Sequence, residues 1–134
     1  MLKPLNKTGR AVMDKLIEGI TQGGSKKIGN TGGVFMPVSI EKIRNIPWGP
    51  VYSVTHYYEQ NGDLMRDPGM TFVQGASGKF YPLSFQQDNI GLYQEVIAET
   101  DDNGKVLKYR PKLSAQLAGF ANTWMRNIKE QQHL

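Results

Sequence analysis

The apolar positions repeat with a helical period near both ends of the chain. Near the N-terminus, apolar side chains at positions 12, 16, 17 and 20 share one face, which predicts a helix over about 9–21 capped by Thr8. The pattern near the C-terminus comprises Leu113, Leu117, Phe120, Trp124 and Ile128. It predicts an amphipathic helix of about 18 residues that begins near Pro111 and ends near Gln131.

Between these helices the pattern changes to an alternation with a period of two, which is typical of strands. The predicted strands are 34–40, 51–60, 70–74, 79–85, 92–99 and 106–109. Asn61-Gly62 is the strongest hairpin signal, Asp67-Pro68-Gly69 predicts a second turn, and residues 25–33 predict a polar loop. Short turns favour an antiparallel sheet of five or six strands. We therefore expect a single α+β domain, residues 1–134, with the long C-terminal helix packed on one sheet face.

Composition excludes several classes of protein. The chain has 134 residues and no cysteine, so a disulfide framework, a cysteine nucleophile and a cysteine-based metal site are excluded. No apolar run is long enough to span a membrane, and the N-terminus lacks the apolar segment of a signal peptide. We expect a cytoplasmic protein that does not act at a membrane.

The charge is unevenly distributed along the chain. Residues 1–30 carry six basic and two acidic side chains, residues 31–104 four and nine, and residues 105–134 six and one. One interpretation is a nucleic-acid surface formed by the two basic ends. Its candidate residues are Lys26, Lys27, Lys108, Arg110 and Lys112. The other interpretation is two solvated helices attracted to an acidic sheet.

Two polar segments are candidates for a partner-binding site. The first, residues 60–70, contains Asp63, Arg66 and Asp67, and a hairpin there would place Arg66 between two carboxylates. This arrangement predicts either an ion-pair network that fixes the turn or a binding surface with Arg66 as its anchor. The second segment, residues 84–95, contains the consecutive side chains Gln86, Gln87 and Asp88. These side chains either satisfy the backbone of a turn or contact a partner.

Candidate catalytic groups are few. His133 lies two residues from the chain end, and His56 lies within a predicted strand. An enzyme would use His56 together with Glu59, Asp63 or Asp67, with or without a metal. Neither a Ser-His-Asp set nor a His-Glu-x-x-His motif is present. We therefore expect no catalytic residues, no metal and no cofactor.

Two long motifs carry a family resemblance. They are Asn61-Gly62-Asp63-Leu64-Met65-Arg66-Asp67-Pro68-x-Met70-Thr71-Phe72 and Tyr81-Pro82-Leu83-Ser84-Phe85-Gln86-Gln87-Asp88-x-x-Gly91-Leu92-Tyr93-Gln94-Glu95-Val96. With the tryptophan-bearing last helix, they resemble an uncharacterised family of small proteins on bacterial plasmids and integrative conjugative elements. Members often have a glutamate at the position of Gly69, so this chain lacks one carboxylate of the family pattern.

The resemblance implies a mobile-element setting, in which small proteins often inhibit host defences such as restriction or CRISPR systems, or assist plasmid maintenance. We expect a non-enzymatic accessory protein that binds a bacterial protein. The alternative is a nucleic-acid-binding protein of plasmid maintenance or transfer. The sequence does not indicate an oligomeric state.

Overall fold

The computed structural model describes residues 2–21, 23–29 and 32–134. In chain order its elements are α1 (Lys7–Ile17), β1 (Ser25–Ile28), β2 (Val38–Ile46), β3 (Gly49–Gln60), β4 (Asp63–Gln74), β5 (Phe80–Gln87), β6 (Leu92–Glu95), β7 (Ile97–Thr100), β8 (Val106–Tyr109) and α2 (Pro111–Gln131). A single 3-10 turn, Asp88–Ile90, joins β5 to β6. The predicted α+β class, with two helices and an antiparallel sheet, is confirmed.

Strands β1 to β6 form one antiparallel sheet in sequence order, and β7 pairs with β8 in a separate two-stranded sheet. Both helices cover the same face of the large sheet. Side chains of α1 and α2 pack there with alternate residues of β2 to β5 in the main core. Its fully buried members include Leu16 of α1, Phe72 of β4 and Ile128 of α2. The opposite face of the sheet is left without a helical cover.

A smaller apolar cluster closes one end of the uncovered face. Val51, Val73 and Leu83 are buried there, and Ile97 of β7 and Trp48 pack against them. The two-stranded sheet therefore lies over this end. The polar end of the same face stays open.

Three register shifts curve the large sheet. The first lies between Lys42 and Arg44 in β2. The second lies in β4, opposite the step from Thr55 to Tyr57 of β3. The third lies in β5, opposite the step from Thr71 to Phe72 of β4. Each extra residue bends its strand and increases the local twist. Ile43 of β2 and Tyr93 of β6 consequently line one cavity, although three strands separate β2 from β6. The uncovered face is a trough.

Several predicted boundaries differ from the structure. Helix α1 is capped by Asn6, whose side chain accepts from the Gly9 amide, and it ends at Ile17 rather than near residue 21. The strand predicted at 34–40 is β2, which begins at Val38, and Val34 is 75% exposed in the preceding loop. Proline lacks an amide donor for a ladder, and Pro37 lies immediately before β2.

The strands at either side of the sheet were also predicted differently. The predicted polar loop 25–33 contains β1, and its residues 30 and 31 lie outside the described part. The single strand predicted over 92–99 is two strands, β6 and β7, which belong to different sheets. Asp67-Pro68-Gly69, predicted as a turn, lies inside β4, where the Asp67-Pro68 peptide is cis and the register shift accommodates the extra residue.

Candidate partner-binding site

The trough is lined by polar side chains that form two rows across all six strands. The antiparallel register aligns Lys27, Ser39, Thr55, Gly69, Gln86 and Tyr93 in the first row. It aligns Ser25, Glu41, Ser53, Thr71, Ser84 and Glu95 in the second. These positions alternate with the core positions of the same strands, because successive side chains of a strand point to opposite faces. The sheet therefore has one apolar and one hydroxyl-rich face.

Two adjoining cavities lie in this trough. The first, of about 280 Å³, is lined from β2 to β6 and includes Arg66, Gln86 and Tyr93. The second, of about 290 Å³, is lined from β1 to β3 and includes Lys27 and Ser39. They share Glu41, Ser53, Thr55 and Tyr57. The trough is therefore continuous from one edge of the sheet toward the other.

Arg66 is held at one rim of the trough by Asp88. The Arg66 amide donates to Asp88 Oδ2 at 2.8 Å, and Arg66 Nη1 lies 3.3 Å from the same oxygen. Gln86 Nε2 donates to Asp88 Oδ1 at 3.1 Å, and Gln87 Nε2 donates to Asp67 Oδ1 at 3.1 Å. The Arg66 side chain remains 43% exposed. This group of five, Arg66, Asp67, Gln86, Gln87 and Asp88, is called the rim network below.

The backbone of β4 gives Arg66 room to lie across the sheet. A Cβ added at Gly69 would lie 3.0 Å from Arg66 Cδ and 3.4 Å from Thr55 Cγ2. The aliphatic stem of Arg66 therefore lies close to the backbone of Gly69, in space that a side chain at that position would take. Gly91 ends the 3-10 turn in the left-handed region at φ 63°, which orients the segment that carries Asp88.

The structure brings together five of the six residues predicted for partner binding. Asp63 is the exception, because it pairs with Gln60 next to the hairpin tip, outside the rim network. The expectation that Arg66 lies between Asp63 and Asp67 is therefore wrong in detail. Its ion pair is with Asp88, which lies 22 residues away in the other motif.

Tyr93 lines the first cavity from β6, where it pairs with Gln86 of β5. Its hydroxyl donates to Glu95 Oε2 at 3.2 Å. Burial raises the pKa of Tyr93, and the negative charge of Glu95 raises it further. The positive charge of Arg44 on β2 acts in the opposite direction, which agrees with the curvature of the sheet.

His56 does not line the trough. It lies on the helix face of β3, 6% exposed, with its ring edge-on to Trp124 at a centroid distance of 5.4 Å. Trp124 Nε1 donates to His56 Nδ1 at 3.4 Å, while His56 Nε2 is buried and has no hydrogen-bond partner among the described residues. Burial lowers the pKa of His56, and the charge of Asp67 opposes part of this shift. Within the described residues no three His, Asp or Glu side chains are grouped to hold a metal ion.

The five basic residues proposed for nucleic-acid binding lie in two separate groups. Lys26 Nζ donates to the carbonyls of Lys15 and Glu18 at the end of α1, whereas Lys27 lines the trough. The other three lie where β8 leads into α2. There Lys108 pairs with Glu99, Arg110 Nη1 donates to the Glu95 carbonyl, and Lys112 is exposed. Three of the five thus have intramolecular partners.

The trough hydroxyls were not among the residues predicted from sequence. Ser53 and Thr55 alternate with Tyr52 and Val54, so the signal was present as polar positions at a period of two. A serine or threonine on an exposed strand face is ordinary when taken singly. The rows become apparent only when the register of six strands is known.

Comparisons with known proteins complete these observations. No described helix is long and apolar enough to span a membrane. None of the curated proteins and none of the solved structures matches the chain. A family model described as "Domain of unknown function (DUF6908)" matches residues 8–134, and the chain therefore belongs to this family.

Proposed function

We propose that this chain is a non-enzymatic binding protein that docks a protein partner on the rim network and the adjoining trough. The observation that carries the proposal is the convergence of two separate motifs on one carboxylate. Residues of β4 and of the segment after β5 meet at Asp88, and they hold a half-exposed arginine at the edge of a concave surface.

The bonding state of Arg66 supports a role as an anchor. A guanidinium group has five N–H donors in a planar fork, and Asp88 takes up one side of it through Nη1. The side chain is 43% exposed, so a partner carbonyl or carboxylate can accept from the remaining donors. Arginine is enriched among the residues that contribute most to protein interfaces. A side chain already held by Asp88 loses less conformational entropy on binding.

The charge around the rim favours protein over nucleic acid as the partner. The rim network contains Asp67 and Asp88 against Arg66, and Glu59 and Asp63 lie on the same hairpin. Phosphate backbones are bound by surfaces with an excess of Lys and Arg, and this surface has an excess of carboxylates. Nucleic-acid binding by the basic groups remains the alternative, and the experiment below distinguishes it from protein docking.

The finer part of the proposal concerns the setting. The resemblance of the two motifs to proteins of plasmids and conjugative elements supports a cytoplasmic accessory protein of a bacterial mobile element. In that setting the partner would be a host protein, and inhibition of a host defence such as restriction or CRISPR is the role we propose. The proposal does not include catalysis by this chain. It assigns to the described surface only the hydrogen bonds and ion pairs that hold a partner.

The experiment is a comparative capture from a bacterial lysate. Tagged wild-type protein, Arg66→Ala and Arg126→Ala are each incubated with lysate at about 150 mM and about 500 mM salt, with and without nuclease. Bound proteins are identified by mass spectrometry, and bound nucleic acid is detected by the ratio of nucleic-acid to protein absorbance. Arg126 is the matched control, because it is an exposed arginine of α2 on the other side of the sheet.

We expect one defined protein to be captured by the wild type and by Arg126→Ala at both salt concentrations, and to be lost from Arg66→Ala. Circular dichroism should show the same fold for all three. Equal capture by Arg66→Ala would show that the rim network is not the docking surface. Nucleic acid that is released at high salt or by nuclease, without a protein, would support the nucleic-acid alternative instead.

A further inference from the structure

The two halves of the trough differ in how their polar groups are satisfied. In the β4–β6 half, side chains bond to one another. Thr71 and Ser84 share a hydrogen bond, Tyr93 bonds to Glu95, and the rim network is internally paired. The β1–β3 half contains Lys27, Ser39, Glu41, Ser53, Thr55 and Tyr57. Within the described part of the chain, no side chain of that set has a hydrogen bond or an ion pair.

Burial makes this difference significant for Thr55. The residue is 4% exposed at the floor between the two cavities. Its hydroxyl is not among the buried atoms without a partner, so it opens into the trough, where water or a ligand can bond to it. Ser39 lies directly opposite it on β2, and Ser53 lies two residues before it on the same face of β3. The floor therefore offers three hydroxyls that are each able to donate and to accept.

The charges of this half balance each other. Lys27 on β1 and Glu41 on β2 occupy adjacent rows, and they form no ion pair within the described residues. Lys26 also borders the cavity, but its ammonium group donates to the end of α1. An anionic ligand would meet the carboxylate of Glu41, and a cationic ligand would meet Lys27. A neutral ligand is repelled by neither Lys27 nor Glu41 and can form a hydrogen bond with each.

The remaining chemistry favours a ligand rich in hydroxyl groups. An apolar ligand would bury the floor hydroxyls without partners, which is unfavourable. A ligand with several hydroxyls donates to Glu41, accepts from Lys27 and exchanges hydrogen bonds with the floor. Tyr57 lines the same cavity, and an aromatic ring can stack against the C–H face of such a ligand. A volume of about 290 Å³ is near the lower end of small-ligand sites.

We propose that the β1–β3 half of the trough binds a neutral saccharide of one or two rings. The site uses Lys27, Ser39, Glu41, Ser53 and Thr55 as hydrogen-bonding groups and Tyr57 as the stacking surface. It adjoins the cavity beside the rim network and shares lining residues with it, but Arg66 and Gln86 line only that other cavity, so the sugar site does not depend on the docking role of Arg66.

The test is an NMR titration of the ¹⁵N-labelled full chain with individual probes. The neutral probes are glucose, galactose, mannose, N-acetylglucosamine, maltose and cellobiose, and the anionic probe is inorganic phosphate. We expect at least one neutral sugar to shift the amide signals of Ser39, Ser53, Thr55 and Tyr57 in a saturable manner, and phosphate to leave them unchanged. The absence of saturable shifts with all six sugars, or stronger binding of phosphate, would overturn the proposal.

Two matched variants test the residue assignment. Thr55→Val removes the floor hydroxyl with little change in shape, and Thr123→Val makes the same change on the exposed surface of α2. We expect Thr55→Val to weaken sugar binding by about tenfold or more and Thr123→Val to leave it unchanged. Equal affinity of wild type and Thr55→Val would refute the site. Arg66→Ala should bind the sugar as the wild type does, so failure of the docking proposal and failure of this one are distinguishable.

Discussion

Acid should destabilise this protein through His56, and the sign follows from where the ring lies. His56 is buried against Trp124, and burial lowers its pKa below the value of 6.5 that an unperturbed histidine has. Protonation in the folded state would place a charge in the core and would set an N–H of His56 against the indole N–H of Trp124. The fold therefore favours neutral histidine, while the unfolded chain binds a proton near pH 6.5.

The magnitude is limited by the linkage relation. Between pH 6.5 and the lowered pKa of the folded state, the unfolded chain binds up to one proton more than the folded chain. The free energy of unfolding then falls with decreasing pH by at most about 1.4 kcal/mol per pH unit. The contribution is fully present above pH 6.5 and is lost as the pH falls toward the folded-state pKa. Asp67 opposes the shift, so the fall is smaller than burial alone would cause.

The assay compares wild type with His56→Gln by urea unfolding, followed by tryptophan fluorescence, at several pH values from about 5 to 8. The two proteins differ only at position 56, so the pH dependence of the difference between their unfolding free energies reports on His56. We expect wild type to lose stability relative to His56→Gln as the pH falls below 6.5. A difference that stays constant over this range, or a wild type that gains relative stability in acid, would refute the reasoning.

Three further predictions concern the stability of the fold, each measured by urea unfolding. Leu16→Ala should lower the free energy of unfolding by about 2–5 kcal/mol, because Leu16 is fully buried. Leu107→Ala, at a position 51% exposed, should change it by less than about 0.5 kcal/mol. Similar losses in the two variants would contradict the assigned core. Asn6→Ala should cost about 0.5–2 kcal/mol because its side chain caps α1, and a larger loss in Thr8→Ala would restore Thr8 as the cap. Gly119→Ala should stabilise by about 0.5–1 kcal/mol, because Gly119 lies inside α2 and an added Cβ meets nothing within 4 Å; a loss of stability would show that α2 is not helical there.

Local signals predicted the parts of the fold that depend on neighbours in sequence. The Asn61-Gly62 hairpin is present, since Gln60 pairs with Asp63, and both residues of the turn have positive φ. The long helix also begins at Pro111 and ends at Gln131, as its periodicity and its N-terminal proline indicate. In these elements the side-chain pattern and the turn residues favour the same structure, and the tertiary contacts agree with that local preference.

Elements that depend on distant partners were not predictable in the same way. Strand β1, Ser25–Ile28, has only four residues and a polar composition, and it exists because β2 lies beside it. The break at Val96 was hidden because the sequence pattern predicts a single strand over 92–99. Val96 is fully buried and its amide bonds to the Leu83 carbonyl, so the chain passes there from one sheet to the other.

The candidate site shows the same division. Both polar segments were identified from sequence, but their contact through Asp88 depends on a separation of 22 residues and on the register of β4 and β5. The predicted partner for Arg66 was a carboxylate of its own hairpin, because neighbours in sequence are the only contacts that sequence spacing supplies. In the structure a register shift lies between Arg66 and Gly69 of β4, and Arg66 pairs with Asp88 beyond the end of the next strand.

The two faces of the large sheet meet separate physical demands. The helix face supplies the stability, since the main core of α1, α2 and the strands lies there. The trough face contributes little apolar burial at its polar end, because hydroxyl, amide and charged side chains line it. At its floor Thr55 is 4% exposed and has no intramolecular hydrogen bond in the described part, and its hydroxyl opens into the trough. A ligand or partner can therefore bond to the floor without breaking an intramolecular hydrogen bond, and this is the physical reason for locating function in the trough.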